Sequence, residues 1–154
     1  MRWAVLVAST AVVSTAAVVP AAYAGGGNHH ASQGKLSASL TGAKEVPGPG
    51  DPDGRGKAKI QLKKHEICFQ LAWRNIGRPT AAHIHEGSSR VAGPVVVPLF
   101  SATGGLDANL TNVGGCVDAS AKLIAEIRKD PRDFYVNIHN AAYPAGAIRG
   151  QLHR

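Results

Sequence analysis

Short stretches in which every second residue is apolar recur along the chain. The clearest are residues 57–63 and 66–73, and residues 35–40 show the same period. A period of two is typical of a β-strand with one buried face, and two adjacent runs of this kind predict an antiparallel pair. Further strands are predicted at residues 80–85, 134–139 and 145–152.

Two other segments complete the predicted fold. Residues 94–100 are apolar but contain Pro98, which lacks the N–H that a central strand must donate, so this run is predicted to lie at a sheet edge or to break there. One short α-helix is predicted near residues 118–130, capped by Asp118 and ended by Asp130-Pro131. Short strands, frequent Gly and Pro turns and a single helix predict an all-β fold, a Greek-key β-sandwich or barrel.

The first 24 residues differ from the rest of the chain. Arg2 precedes an uncharged, mostly apolar run, and Ala22-Tyr23-Ala24 has the small-x-small pattern that signal peptidase cleaves. We therefore expect residues 1–24 to be a signal peptide and the protein to be secreted, or held in the periplasm or cell envelope. No stable membrane span is expected after cleavage. Residues 25–34 are expected to form a flexible mature N-terminus.

Composition narrows the classes of partner. After cleavage, 16 of the 17 Lys and Arg residues remain against 10 acidic residues, a net charge of +6 that attracts anions in general. No basic patch is interleaved with aromatic residues, so nucleic acid is not expected as a partner. A basic stripe on one predicted hairpin is typical of a solvated face, and contact with an anionic surface is the alternative. The stripe consists of Lys57, Lys59, Lys63 and Lys64.

The chain contains two cysteines, Cys68 and Cys116. Outside the cytosol an even pair is expected to form a disulfide. Two unrelated buried thiols are the alternative. Neither cysteine belongs to a C-x-x-C motif, so redox catalysis is not predicted.

The candidate chemistry lies in three histidines. His83 and His85 flank Ile84 in a predicted strand, so their side chains share one face about 6.6–7 Å apart at the backbone. His139 likewise lies opposite the apolar residues of its own strand. Three imidazoles without clustered thiolates suit copper, or zinc as the alternative metal. Outward histidines on a solvated sheet face also occur without any ligand.

Several blocks of sequence, in order, resemble the CHRD domain, the module named after chordin. The resemblance covers residues 35–152 and implies a single extracellular β domain more directly than it implies an activity. Its fold is expected to be superoxide-dismutase-like or immunoglobulin-like. The blocks are residues 40–47 (LTGAKEVP), 56–58 (GKA), 80–87 (TAAHIHEG), 93–96 (GPVV), 135–139 (YVNIH) and 143–152 (YPAGAIRGQL).

A more distant similarity links His83, His85 and His139 to the copper ligands of Cu/Zn superoxide dismutases. It implies that Arg149 is an anion guide near the metal. No histidine lies between His85 and Cys116, so the bridging and zinc ligands of those enzymes have no counterpart. The similarity therefore implies one copper ion. Binding is favoured over catalysis, and an enzyme would be a copper-only superoxide-dismutase-like oxidoreductase.

The sequence thus predicts a secreted protein that binds and handles a single copper ion through three histidines. Asn137 and Glu86 are expected to orient these ligands. The rival hypothesis is a metal-free extracellular interaction or structural module that binds a cell-surface or matrix protein. A homodimer is a further expectation, with no residue-level argument for it.

Overall fold

The computed structural model describes residues 34–154, so the predicted signal peptide (1–24) and nearly all of the predicted flexible N-terminus lie outside it. Eight antiparallel strands form one nearly closed, barrel-like sheet, accompanied by one short α-helix. This confirms the predicted all-β class with a single helix. The strands are β1 (Lys35–Thr41), β2 (Arg55–Leu62), β3 (Glu66–Arg74), β4 (Pro79–Glu86), β5 (Val95–Ser101), β6 (Asn112–Asp118), β7 (Phe134–Asn140) and β8 (Ile148–Gln151).

The order of strands brings distant parts of the chain together. Across the sheet the strands follow the order β5, β4, β7, β8, β1, β2, β3, β6. Strands β1 to β3 are consecutive neighbours, whereas β7 and β8, from the end of the chain, lie between β4 and β1. Strand β5, which contains Pro98, lies at one end of the sheet, as predicted. Strands β4 and β7, which carry the three histidines, are direct neighbours.

The alternating residues form the core. On β3, for example, Ile67, Phe69, Leu71 and Trp73 are all buried, while their neighbours along the strand are more exposed. Burial of such side chains contributes about 1.5–3 kcal/mol each for the larger ones. The predicted period of two is therefore the pattern that closes the sheet around one hydrophobic interior.

Strand β7 is buried on both faces. Val136 and Ile138 lie in the core, and Tyr135 and Asn137 on the opposite face are only 3% and 2% exposed. The loop after β4, residues 87–94, covers this outer face. Several hydrogen bonds anchor the loop: Arg149 Nη2 to Ser88 O (2.8 Å), Gln151 Nε2 to Gly87 O (2.7 Å) and Gly93 N to Tyr135 Oη (3.1 Å).

The helix α1 (Ala121–Lys129) begins later than the sequence predicted. Its cap is Ser120, whose hydroxyl accepts a hydrogen bond from Leu123 N at 3.1 Å. Asp118, the predicted cap, is instead the last residue of β6 and pairs with Glu66. Within residues 34–154, no helix combines the length and apolar character needed to cross a bilayer.

Strand β6 was not predicted, and it lies at the second end of the sheet. Cys116 on β6 is directly opposite Cys68 on β3, and their sulfur atoms lie at disulfide-bonding distance. The two cysteines are thus paired as expected. The link joins this terminal strand to β3, the one described strand with which it pairs.

Candidate metal centre

The register between β4 and β7 places the three histidines on one face. Ala81 pairs with His139 and His83 pairs with Asn137, so His83 and His139 are diagonal neighbours. Diagonal side chains on one face of an antiparallel pair are within reach of each other when they are long. His85 follows two residues after His83 on the same strand and shares its face.

The three rings converge. The ring centroid of His83 lies 4.9 Å from that of His139 and 5.6 Å from that of His85. One ring nitrogen from each histidine lies within 4.8 Å of the others. His83 Nδ1 is 3.1 Å from His139 Nε2, the separation of two ligands that bind one ion at about 2.0–2.1 Å with an angle near 100°.

Backbone carbonyls orient two of the imidazoles. His85 Nδ1 lies 2.8 Å from Gly93 O, and His139 Nδ1 lies 3.0 Å from Pro144 O. A carbonyl oxygen only accepts hydrogen bonds, so both Nδ1 atoms carry the proton and both Nε2 atoms present a lone pair. His85 Nε2 is buried and has no hydrogen-bond partner among residues 34–154. This is the arrangement that a metal ligand requires.

The surroundings of His83 and His139 keep these two imidazoles neutral. Burial, followed by the neighbouring rings of His139 and His85, lowers the pKa of His83 to about 4, against a smaller opposing contribution from the Asn137 side chain. Burial also lowers the pKa of His139. Neutral imidazole is the form that binds metal, so these two ligands need not lose a proton at neutral pH.

The Tyr135 ring packs against the His85 ring. The two rings are stacked, with centroids 4.7 Å apart and planes 11° apart, and the Arg149 guanidinium carbon lies 3.3 Å from the centre of the same tyrosine ring. Two planar groups this close to one ring must occupy its opposite faces. Tyr135 is therefore held between His85 and Arg149.

The remaining predicted site residues occupy different environments. Asn137 is buried directly opposite His83 in the β4–β7 ladder. Glu86 is exposed at the end of β4, and its carboxylate makes no hydrogen bond with any part of the chain that the structure describes. Arg149 is only 1% exposed and binds Ser88 O. His65 and His153 are exposed and lie outside the three-histidine group.

Three groups that shape the site were not predicted from the sequence, namely Gly93 O, Pro144 O and the Tyr135 ring. Gly93 had one sequence signal, because glycine is favoured where the backbone must come close to another group. A Cβ at Gly93 would overlap the carbonyl oxygen of Glu86. The two carbonyls carry no side-chain signal, so only the folded chain identifies them.

A second group of possible ligands comprises Glu66, Cys68 and Cys116. Its two sulfur atoms lie at disulfide-bonding distance, so they are not thiolate donors in this state. In the described chain, the three histidines are the group whose ligand atoms are all available.

Comparison with known proteins gives one relationship. No curated protein and no solved structure matches the chain. The family model of the CHRD domain matches residues 36–152, most of the chain and nearly all of its described part. This span contains all eight strands apart from the first residue of β1, together with the three histidines and both cysteines. The chain therefore belongs to the CHRD domain family.

Proposed function

We propose that this protein is an exported copper-binding protein that holds one ion through His83, His85 and His139. The observation that carries the proposal is the convergence of three ring nitrogens within 4.8 Å, together with two backbone carbonyls that hold the Nδ1 atoms of His85 and His139 and leave their Nε2 atoms free to bind. Such orientation is typical of metal-ligating histidines. Solvated histidines on a sheet face would not need it.

The ligand chemistry favours copper. An all-nitrogen site binds Cu²⁺ more tightly than the other divalent first-row metals, including Zn²⁺. Zinc also accepts three histidines and is the alternative metal. The predicted signal peptide and the paired cysteines support export to an oxidising compartment. There, bound copper would supply one-electron redox chemistry or be delivered to another protein.

The proposed site is mononuclear and open at one side. The zinc and bridging histidines of Cu/Zn superoxide dismutases have no counterpart here, and no other histidine joins the group within residues 34–154. His83 and His139 are only partly buried, so solvent reaches the ion position from their side. We therefore favour copper binding and handling over catalysis.

Neighbouring residues are assigned positioning roles. Asn137 faces His83 across the ladder and limits the orientations of that ring. Arg149 acts through Tyr135, whose ring it covers opposite His85. The 1% exposure of Arg149 supports a role in holding this stack in position rather than in meeting an anion in solvent.

Metal analysis of the purified exported protein tests the proposal. We expect one copper ion per chain after loading and dialysis, and loss of that copper in a His83→Ala/His139→Ala double variant. His65→Ala is the matched control, because His65 is exposed and outside the group, and it should retain copper. Equal copper retention in the double variant would contradict the proposal. A metal-free protein whose stability copper leaves unchanged would support the extracellular interaction module instead.

A separate measurement addresses activity. Superoxide turnover by the copper-loaded protein, compared with the same amount of free copper, distinguishes an oxidoreductase from a copper carrier. We expect turnover no higher than that of free copper, since the second metal of the dismutases has no ligands here.

A further inference from the structure

The outer face of β1, β2 and β3 carries charge of one sign. Side chains on these strands alternate between the core and the outside, and their outward cations are all exposed. The one acidic residue of the three strands is Glu66, which pairs at 2.6 Å with Lys63 in the turn after β2. Lys44, just after β1, adds a further ammonium group, and its Nζ donates to Ser39 O at 2.7 Å. We call this surface the basic face, and its cations are Lys35, Lys44, Arg55, Lys57, Lys59 and Arg74.

The strand register spreads these cations over an extended area. Arg55, Lys57 and Lys59 follow one another along β2 in steps of about 6.6–7 Å. Lys35 on β1 pairs with the residue two positions after Lys59, and Arg74 on β3 pairs with Arg55. Since neighbouring strands lie about 4.7–4.9 Å apart, the face measures roughly 10 by 20 Å. This area is larger than a small anion needs and suits an extended chain of anionic groups.

The charge of the basic face is not compensated within the described chain. Three ion pairs are present in residues 34–154, and none includes a cation of this face: Lys63–Glu66, Lys122–Glu126 and Lys129–Asp130. Arg55 and Arg74 are directly opposite each other in the ladder, and like charges in this arrangement destabilise a sheet. Arg55 Nη1 donates to Gly54 O at 2.6 Å, but this neutral carbonyl leaves the charge in place. An anionic partner would offset the repulsion.

A shallow groove of about 800 Å³ crosses the basic face beside Lys35 and Lys59. On the side of β6 its lining includes Gly114, which has no side chain to fill the groove. Neutral polar residues lie among the cations, and each of them can both donate and accept hydrogen bonds. These residues are Ser37, Gln61 and Gln70. The groove therefore offers contacts for hydroxyl groups next to contacts for anions.

We propose that the basic face binds a linear anionic polysaccharide of the polyuronate class. The carboxylates of successive sugar units contact the cations, and the sugar hydroxyls bond to the neutral polar residues of the groove. No aromatic residue lies among the outward residues of these strands, so the face lacks the stacking groups that single-stranded nucleic acids use. The exposed large apolar residues, Val91, Val95 and Leu110, lie outside it, so it has no anchor for a lipid surface. The proposed copper site is on β4 and β7, and the two sites are independent.

Titration of the metal-free protein with oligogalacturonate, a linear chain of uronate units, tests the proposal. Working without metal keeps metal binding by the uronate out of the measurement. The control ligand is an uncharged maltooligosaccharide of the same length. We expect saturable binding of the oligogalacturonate alone, weakened by added salt because exposed charges are screened.

A matched pair of variants separates the basic face from overall charge. Lys57→Gln/Lys59→Gln should weaken oligogalacturonate binding about fivefold, the scale of two exposed ionic contacts. Lys122→Gln/Lys129→Gln removes the same charge from α1, where both lysines are exposed and already paired with carboxylates. This control should bind as the unaltered protein does. Equal losses in the two variants would overturn the proposal, because overall charge would then account for the binding.

Two more measurements test the nature of the face. Arg74→Gln removes one of the two opposed arginines, so it should weaken binding without lowering the midpoint of thermal unfolding. Duplex DNA should compete only weakly, since it offers phosphates but no sugar hydroxyls comparable to those of a polyuronate. Absence of saturable oligogalacturonate binding would contradict the proposal, and so would duplex DNA that binds as tightly as oligogalacturonate.

Discussion

The rings of Tyr135 and His85 lie parallel, with centroids 4.7 Å apart, and both residues also bond to Gly93. Gly93 O accepts from His85 Nδ1, and Gly93 N donates to the Tyr135 hydroxyl. The backbone carbonyl of Gly93 thus fixes the direction of His85 Nδ1, and the stacked tyrosine ring fixes the plane of the imidazole. The orientation of this imidazole therefore depends on a tyrosine that is 42 positions away from Gly93 along the chain.

Tyr135→Phe tests the hydroxyl part of this arrangement. The variant keeps the stacked ring but frees Gly93 N, so the loop that orients His85 is held less firmly. We expect copper affinity to fall roughly tenfold, the lower end of the range for residues that support metal ligands. Thermal unfolding of the metal-free variant provides the control for an intact fold. Unchanged copper affinity would mean that the stacked ring alone is sufficient.

Gly93→Ala tests the loop itself. A Cβ at this position overlaps Glu86 O, so the backbone must move and take the carbonyl away from His85. We expect a ten- to hundredfold loss of copper affinity. Gly115→Ala on β6 is the matched control, since its Cβ would meet only the Phe69 ring at 3.3 Å or more. Similar copper affinity in the two variants would contradict this role for Gly93.

The hydrogen bonds also predict a change of tautomer on metal binding. His139 Nδ1 donates to Pro144 O, so His139 Nε2 is an acceptor and His83 Nδ1 must donate to it in the metal-free protein. A metal bound by both of these atoms requires His83 to move its proton to Nε2. Long-range ¹⁵N–¹H correlation spectra should show this switch for His83 on addition of diamagnetic Zn²⁺. Spectra in which His83 keeps one tautomer throughout would exclude Nδ1 as its ligand atom.

Copper binding should persist into acidic solution. Because the pKa of His83 is lowered to about 4 and that of His139 is also lowered, protons compete weakly with the metal at these ligands above about pH 5. We expect the copper content to hold at pH 5.5 and to fall as the pH approaches 4, measured at copper concentrations near the dissociation constant. A midpoint close to 6.5, the ordinary value for imidazole, would contradict this expectation.

The cysteine pair should affect stability but not the metal site. Replacing Cys68 and Cys116 together with serine removes the link across β3 and β6, which closes a loop of 48 residues. We expect a loss of roughly 4 kcal/mol in the free energy of unfolding. Copper stoichiometry should not change at a temperature where the variant is folded, since the histidines lie on β4 and β7. Measuring both quantities on one preparation separates the two effects.

Much of the fold follows from local pattern. Strands β2 and β3 were predicted closely because Ala58, Ile60 and Leu62 alternate with polar residues and the next run repeats the pattern. Strand β6 was missed because Gly114 and Gly115 leave no alternation, and its position depends on pairing with β3. The predicted start of the helix was also wrong, because Asp118 belongs to this missed strand and the helix begins only at Ala121.

The candidate site, too, could be predicted from the sequence only in part. The parity of His83, His85 and His139 within their strands follows from the sequence, and this suffices to predict that they share one face. The pairing of β4 with β7 could not be predicted in this way, because it joins two segments that are far apart in the sequence.

The long ladder between β4 and β7 has a further consequence. Seven residue pairs align these strands, from Pro79 with Asn140 to Glu86 with Phe134, and this backbone pairing fixes the positions of all three histidines relative to one another. If the site binds an ion as we propose, the ion could leave and be replaced without a change in strand pairing. The occupancy of the site would then follow the concentration of free metal around the protein.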